Sequence, residues 1–172
     1  NTTLNYPAIV GARNIAGNLT IDAGSSIYMD YGSVDCGGPL TVGGNVTVNG
    51  NLSLGNTFGR DLITEGNLTF GLGYGFFPNN RAVWFTKASG TQIITTPSAA
   101  DLTIPYLVVG ASSGSGTTLQ MGQNLNITAP LGGSAISFTT ANDKINLNNR
   151  LMTIGTAAVS NNISGNGTFS GS

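Results

Sequence analysis

The sequence predicts an all-β chain wound as a right-handed parallel β-helix, a β-solenoid with coils of about 22 residues. Three observations predict it. One short phrase recurs along the chain, its copies sit near a common spacing, and Gly and β-branched residues interrupt every window in which a helical period could be sought.

The phrase is a Gly-Asn pair, an apolar residue, a hydroxyl residue and a second apolar residue. It occurs as Gly17-Asn18-Leu19-Thr20-Ile21, Gly44-Asn45-Val46-Thr47-Val48, Gly50-Asn51-Leu52-Ser53-Leu54 and Gly66-Asn67-Leu68-Thr69-Phe70. Looser copies follow at Asp101-Leu102-Thr103-Ile104, Asn124-Leu125-Asn126-Ile127, Leu151-Met152-Thr153-Ile154 and Gly165-Asn166-Gly167-Thr168-Phe169. Each reads as a bend followed by a short strand. Apolar and hydroxyl residues alternate with period two, so Leu19 and Ile21 face one side of a sheet and Thr20 the other. Gly takes positive φ freely and Asn tolerates the left-handed region, which suits both to corners. Asparagines at equivalent corners are then in place to hydrogen-bond one above another up the rod.

The spacing gives the period. The steps from Val46 to Leu68, Leu102 to Leu125, Leu125 to Leu147 and Leu147 to Phe169 are all about 22 residues. Eight coils of that length fill the chain and make a rod roughly 35 to 40 Å long at the usual strand separation. A β-sandwich also uses short strands, but Val48-Asn49-Gly50-Asn51 is the one clear hairpin turn between alternating runs. Residues 70–84 depart from the phrase. Phe70, Tyr74, Phe76, Phe77 and Trp84 gather around Pro78-Asn79-Asn80, and the stretch reads as a wider coil or a loop standing off the rod.

The whole of residues 1–172 reads as one solenoid segment. With no Met at Asn1 and the repeat still running at Ser172, it is expected to be a piece of a longer chain. Hydrophobic residues make up 40%, enough to fill a core, while charged residues make up only 8%, so uncharged polar groups must carry solubility. The six Lys and Arg residues are scattered singly, which offers no face for a nucleic acid. No apolar run approaches the roughly 20 residues of a membrane-spanning helix. Cys36 is the single cysteine, so no intrachain disulfide is available.

Catalysis has no candidate. The chain lacks histidine, and Cys36 alone cannot build a zinc site. Seven carboxylates (Asp22, Asp30, Asp35, Asp61, Glu65, Asp101 and Asp143) fall out of register for a glycosidase pair at the repeat period, and they read as corner or surface groups. Asp22, Asp30 and Asp35 share a coil but form no recognised calcium loop. No metal or other cofactor is expected. Asn-x-Ser/Thr triplets at Asn1, Asn18, Asn45, Asn51, Asn67, Asn126, Asn162 and Asn166 arise from the repeat itself, which pairs a corner Asn with an outward hydroxyl. Tyr74, Phe76, Phe77 and Trp84 are candidates either for core or end packing or for an interaction surface that stacks on sugar or protein.

The run from Thr41 to Leu54, and Ile145-Asn146-Leu147-Asn148 leading into Leu151-Met152-Thr153-Ile154-Gly155, resemble the Gly/Asn/Thr-rich repeat regions of very large cell-surface proteins of Bacteroidota. That group includes the gliding-motility adhesins exported by the type IX secretion system. Filamentous haemagglutinin-type and autotransporter passenger solenoids have a similar texture. The resemblance implies an extracellular filament or stalk anchored at the outer membrane and used in adhesion or gliding motility, with no catalytic residues. Its partners would be the remaining coils of one long chain, other surface proteins and glycans, but not nucleic acid or the membrane interior. A carbohydrate-binding or polysaccharide-cleaving β-helix and a self-assembling extracellular filament subunit are the alternative expectations.

Overall fold

A strand of only a few residues buries too little to stand alone, and this chain stabilises its strands by laying each coil on the one before. The computed structural model describes residues 3–5, 11–30, 37–97, 101–155 and 161–171, which hold 21 strands and no helix. After β1 (Thr3–Asn5), strands follow in threes: β2 (Arg13–Ile15), β3 (Leu19–Ile21) and β4 (Ser26–Tyr28), then β5 (Leu40–Val42), β6 (Val46–Val48) and β7 (Asn51–Ser53). Next come β8 (Leu62–Thr64), β9 (Leu68–Phe70) and β10 (Gly75–Phe77), then β11 (Ala82–Phe85), β12 (Ser89–Thr95) and β13 (Leu102–Ile104). The chain continues through β14 (Tyr106–Val109), β15 (Gly116–Met121) and β16 (Leu125–Ile127) to β17 (Gly133–Phe138), β18 (Lys144–Asn146) and β19 (Met152–Ile154). It closes with β20 (Asn161–Ser164) and β21 (Thr168–Ser170).

These strands form the faces of a parallel β-solenoid. The first face is a seven-stranded sheet, β2-β5-β8-β11-β14-β17-β20, and the second is another, β3-β6-β9-β12-β15-β18-β21. The third side carries a four-stranded sheet, β1-β4-β7-β10, and a three-stranded one, β13-β16-β19. Each described strand pairing is parallel, including those of β6 and β7, so Val48-Asn49-Gly50-Asn51 is a corner and not a hairpin. Gly50 is required there by closeness, since a Cβ would collide with the Ser25 carbonyl oxygen of the coil beneath.

The register corrects the period. Val46 pairs with Leu68 and Leu102 with Leu125, as the spacing predicts. Leu125, however, pairs with Met152, and Phe169 with Ile145, so Leu147 joins neither column. Across the first face Asn14, Thr41, Ile63, Trp84, Val108, Ser137 and Ser164 stand in line. The average coil on this line is about 25 residues, longer than the phrase spacing implies. The step from Leu62 to Val83 is the shortest and that from Leu107 to Ile136 the longest. Strand pairing fixes the faces while corners absorb the difference. Six steps of about 4.8 Å give a rod about 29 Å long, shorter than eight coils would make.

Residues 70–84 do not leave the rod. Phe70 ends β9, Gly75–Phe77 pairs with β7, and Ala82–Phe85 is an interior strand between β8 and β14. The departure from the phrase reflects a tight turn, in which Asn79 and Asn80 take φ of 48° and 60°. Asn148 and Asn149 do the same at 49° and 58°. Four of the five described non-glycine residues with positive φ are thus asparagines, as their local side-chain hydrogen bonding favours.

The interior is a continuous stack of apolar columns. Leu40, Leu62, Val83, Leu107 and Ile136 form one on the first face, and Val46, Leu68, Ile94 and Met121 one on the second, all buried. Full burial of each such side chain contributes about 1.5 to 3 kcal/mol. Two polar columns run beside them. At one corner the Asn18 Oδ1 accepts the Asn45 N–H, the Asn45 Oδ1 accepts the Asn67 N–H, and the Asn67 Oδ1 accepts the Ile93 N–H, each at 2.8 Å. This is the asparagine ladder the repeat predicts.

The other column is buried. Thr64 Oγ1 donates to the Gly44 carbonyl at 3.0 Å, and Gln92 Nε2 donates to the carbonyls of Thr64 at 3.0 Å and Gly66 at 2.5 Å. Gln92 Oε1 accepts the Lys87 N–H at 2.9 Å, and the Lys87 carbonyl accepts the Thr117 hydroxyl. The Thr117 N–H donates to Asp143 Oδ1 at 2.8 Å, and Asp143 Oδ2 accepts the Thr140 N–H at 2.6 Å. Thr64, Gln92, Thr117 and Asp143 are all wholly buried. Asp143, expected at a corner or on the surface, is therefore an interior group. Asp35 and Cys36 lie outside the described residues.

Candidate binding site

Alternation along the first face sends every second side chain outward. In β11, Val83 and Phe85 enter the core, so Ala82 and Trp84 face out. The parallel register places Ile63 on one side of Trp84 and Val108 on the other, with Ser137 next beyond. Walls come from the coil-to-coil connections beside this face.

Two hollows result, of about 430 and 420 Å³, and Trp84 lines both. The first has Trp84, Tyr106 and Val108 along its floor, with Phe58 and Leu131 as walls. Phe58 and Leu131 are 89% and 72% exposed, so neither is held there by core packing. Tyr106 fixes the Leu131 wall: its hydroxyl oxygen accepts the Leu131 N–H at 2.9 Å, and the turn closes with Gly132 N–H to the Ala129 carbonyl at 2.8 Å. Arg81 lies at the other wall, 5.9 Å from the centre of the Phe58 ring, and its Nε donates to the Asn79 carbonyl at 3.3 Å. Arg81 is 6% exposed. Asp61 Oδ1 accepts the Ala82 N–H at 2.9 Å and holds the floor strand to β8. The second hollow continues past Trp84 along the strand direction, with Glu65 and Thr86 on one side and the 110–113 connection on the other.

Trp84 Nε1 is buried without a hydrogen-bond partner among the described residues. Such an unmade bond costs about 1 to 3 kcal/mol. The indole is therefore held by packing, and its ring, not its N–H, is what this site keeps.

The four aromatic residues singled out in the sequence do not share a surface. Tyr74 and Phe76 pack on Phe70, with ring centroids 4.6 and 5.2 Å away, and both are half-buried against the core. Phe77 is exposed on the outer side of β10. Of the four, Trp84 lines the hollows. The residues that accompany it, Phe58, Arg81, Tyr106 and Leu131, stand roughly one coil apart, and only the true coil length reveals them as neighbours. Burial pushes the Tyr74 hydroxyl above its ordinary pKa of 10.0.

Among the described residues no group of three or more His, Cys, Asp or Glu is placed to hold a metal ion. No helix among them is long and apolar enough to cross a membrane. Compared with protein-family models, with curated proteins and with solved structures, the chain matches none.

Proposed function

We propose that this chain is a non-catalytic structural and adhesive segment of a secreted cell-surface filament or stalk. The observation that carries the reading is the uninterrupted stack. Two seven-stranded parallel sheets tie every described coil to the next, and one apolar cluster runs from Ile21 to Ile145. Such a stack is a stiff spacer that holds its outer faces away from an anchor. The resemblance to gliding-motility adhesins of Bacteroidota supports placement outside the outer membrane and export by the type IX route, with further coils or other surface proteins as partners. Antibodies against the folded chain should label intact cells that make it, and brief protease treatment of those cells should remove the label. Labelling that appears only after lysis would overturn the reading.

A further inference from the structure

We infer that the paired hollows around Trp84 form a binding site for an uncharged oligosaccharide. The inference deepens the adhesive reading above and rests on it for access to glycans, but its test is independent of where the protein resides.

The shape and the chemistry of the site select this ligand class. A sheet face with an aromatic ring at its centre offers the C–H face of a sugar ring an apolar platform, and Phe58 and Leu131 line the same hollow. Groups that bond hydroxyls stand along the rim: the Asp61 and Glu65 carboxylates, the Asn80 amide and the Ser134 and Ser137 hydroxyls. The first hollow spans β11, β14 and β17, two strand spacings or about 10 Å. The second prolongs it along the strands past Trp84, so the site suits a chain of sugar rings better than one ring.

Two alternatives fit less well. An extended peptide gains most of its affinity by adding a strand to a free sheet edge. Here β8, β11, β14 and β17 are all interior strands, and the sheet has no edge at this place. Among the residues that line the hollows, an acidic polysaccharide would meet one cation, Arg81, against two carboxylates, Asp61 and Glu65. Arg81 is moreover largely buried, engaged with the Asn79 carbonyl and the Phe58 ring. The charge balance favours a neutral ligand.

Trp84 is the single tryptophan of the chain, so its fluorescence reports on this site alone. The test titrates the protein with neutral hexasaccharides (β-1,4-glucan, β-1,3-glucan, α-1,6-mannan and chitin types), with oligogalacturonate and with a mixed decapeptide library, following tryptophan emission and heat. At least one neutral sugar should shift the emission and bind. Trp84→Ala should weaken that binding by about tenfold or more, whereas Trp84→Phe, which keeps a ring and loses no hydrogen bond, should stay within about threefold. Phe58→Ser and Leu131→Ser change exposed side chains, so both should fold with an unaltered circular dichroism spectrum and unfolding midpoint and still bind several-fold more weakly. The inference is overturned if no neutral sugar binds, if only oligogalacturonate or peptides bind, or if sugar binding survives Trp84→Ala together with both serine variants. Any of these leaves the surface-labelling test of the filament reading unaffected.

Discussion

Replacing Gln92 with leucine keeps the volume of a wholly buried side chain and removes the middle of the polar column, which makes it a clean probe of what the column does. The Thr64 carbonyl is not orphaned by the change, because the Thr86 N–H still reaches it at 2.9 Å. The Lys87 N–H loses its acceptor outright, and the Gly66 carbonyl keeps only a long share, at 3.4 Å, of the Thr64 hydroxyl proton that points chiefly to Gly44. The lost backbone bond costs about 2 kcal/mol, the weakened one about 1 kcal/mol, and the added apolar burial returns about 1 kcal/mol, so the net destabilisation is about 2 kcal/mol. A stack of coils need not unfold in one step, so a global midpoint is a blunt measure. Amide hydrogen exchange resolved along the chain is sharper. Amides of β9 and β12 should exchange about thirtyfold faster in Gln92→Leu, the factor that about 2 kcal/mol gives. Gln92→Glu should be worse, since it keeps the acceptor for Lys87 but sets a buried negative charge against two carbonyl oxygens. Wild-type protection of β9 and β12 in the leucine variant would refute the claim that the column stabilises this corner.

Three further outcomes test other parts of the structure. Gly110 sits at φ of 118°, and a Cβ there would collide with the Asp143 carboxylate, so Gly110→Ala should cost about 3 kcal/mol or more in urea unfolding; a loss under about 1 kcal/mol would contradict it. Asn45→Ala removes the acceptor of the Asn67 N–H in an exposed corner, where water replaces it in part. The expected loss is about 0.5 to 1 kcal/mol, well below that of Gln92→Leu, and a reversed order would mean that the exposed ladder matters more than the buried column. Tyr74 ionises above its ordinary 10.0 because burial disfavours the phenolate. The folded state thus prefers the protonated form, and its stabilising contribution is complete below the ordinary value of 10.0 and lost as pH rises through the folded value. Thermal scans from mildly to strongly alkaline pH should show a drop that Tyr74→Phe lessens; equal drops in both proteins would count against it.

The repeat made the architecture legible because every coil answers the same packing problem with the same short phrase. Gly44-Asn45-Val46 over Gly17-Asn18-Leu19, and Gly66-Asn67-Leu68 over both, stack as their wording suggests. The same wording misled further on. Ile145-Asn146-Leu147 and Leu151-Met152-Thr153-Ile154 are alike in pattern but belong to different sides, β18 and β19, so counting from phrase to phrase joined strands that never meet. The buried column was hidden for a related reason. Gln92 lies in the stretch that makes the step from Leu68 to Ile94 longer than that from Leu62 to Val83, and a glutamine that plugs such an insertion carries no signal of its own. Of the site, Trp84 was visible as one of the four aromatic residues singled out in the stretch that departs from the phrase. Phe58 and Leu131 were not, since their role depends on how far two loops overhang a sheet.

The way the backbone bonds point has a mechanical consequence. They lie along the axis of the stack, one coil to the next, so tension on the two chain ends peels the outermost winding bond by bond instead of shearing a whole sheet at once. Each released winding of about 25 residues adds roughly 85 Å of extended chain. A stack bonded this way yields one winding at a time where it is pulled, while the remaining windings keep their form.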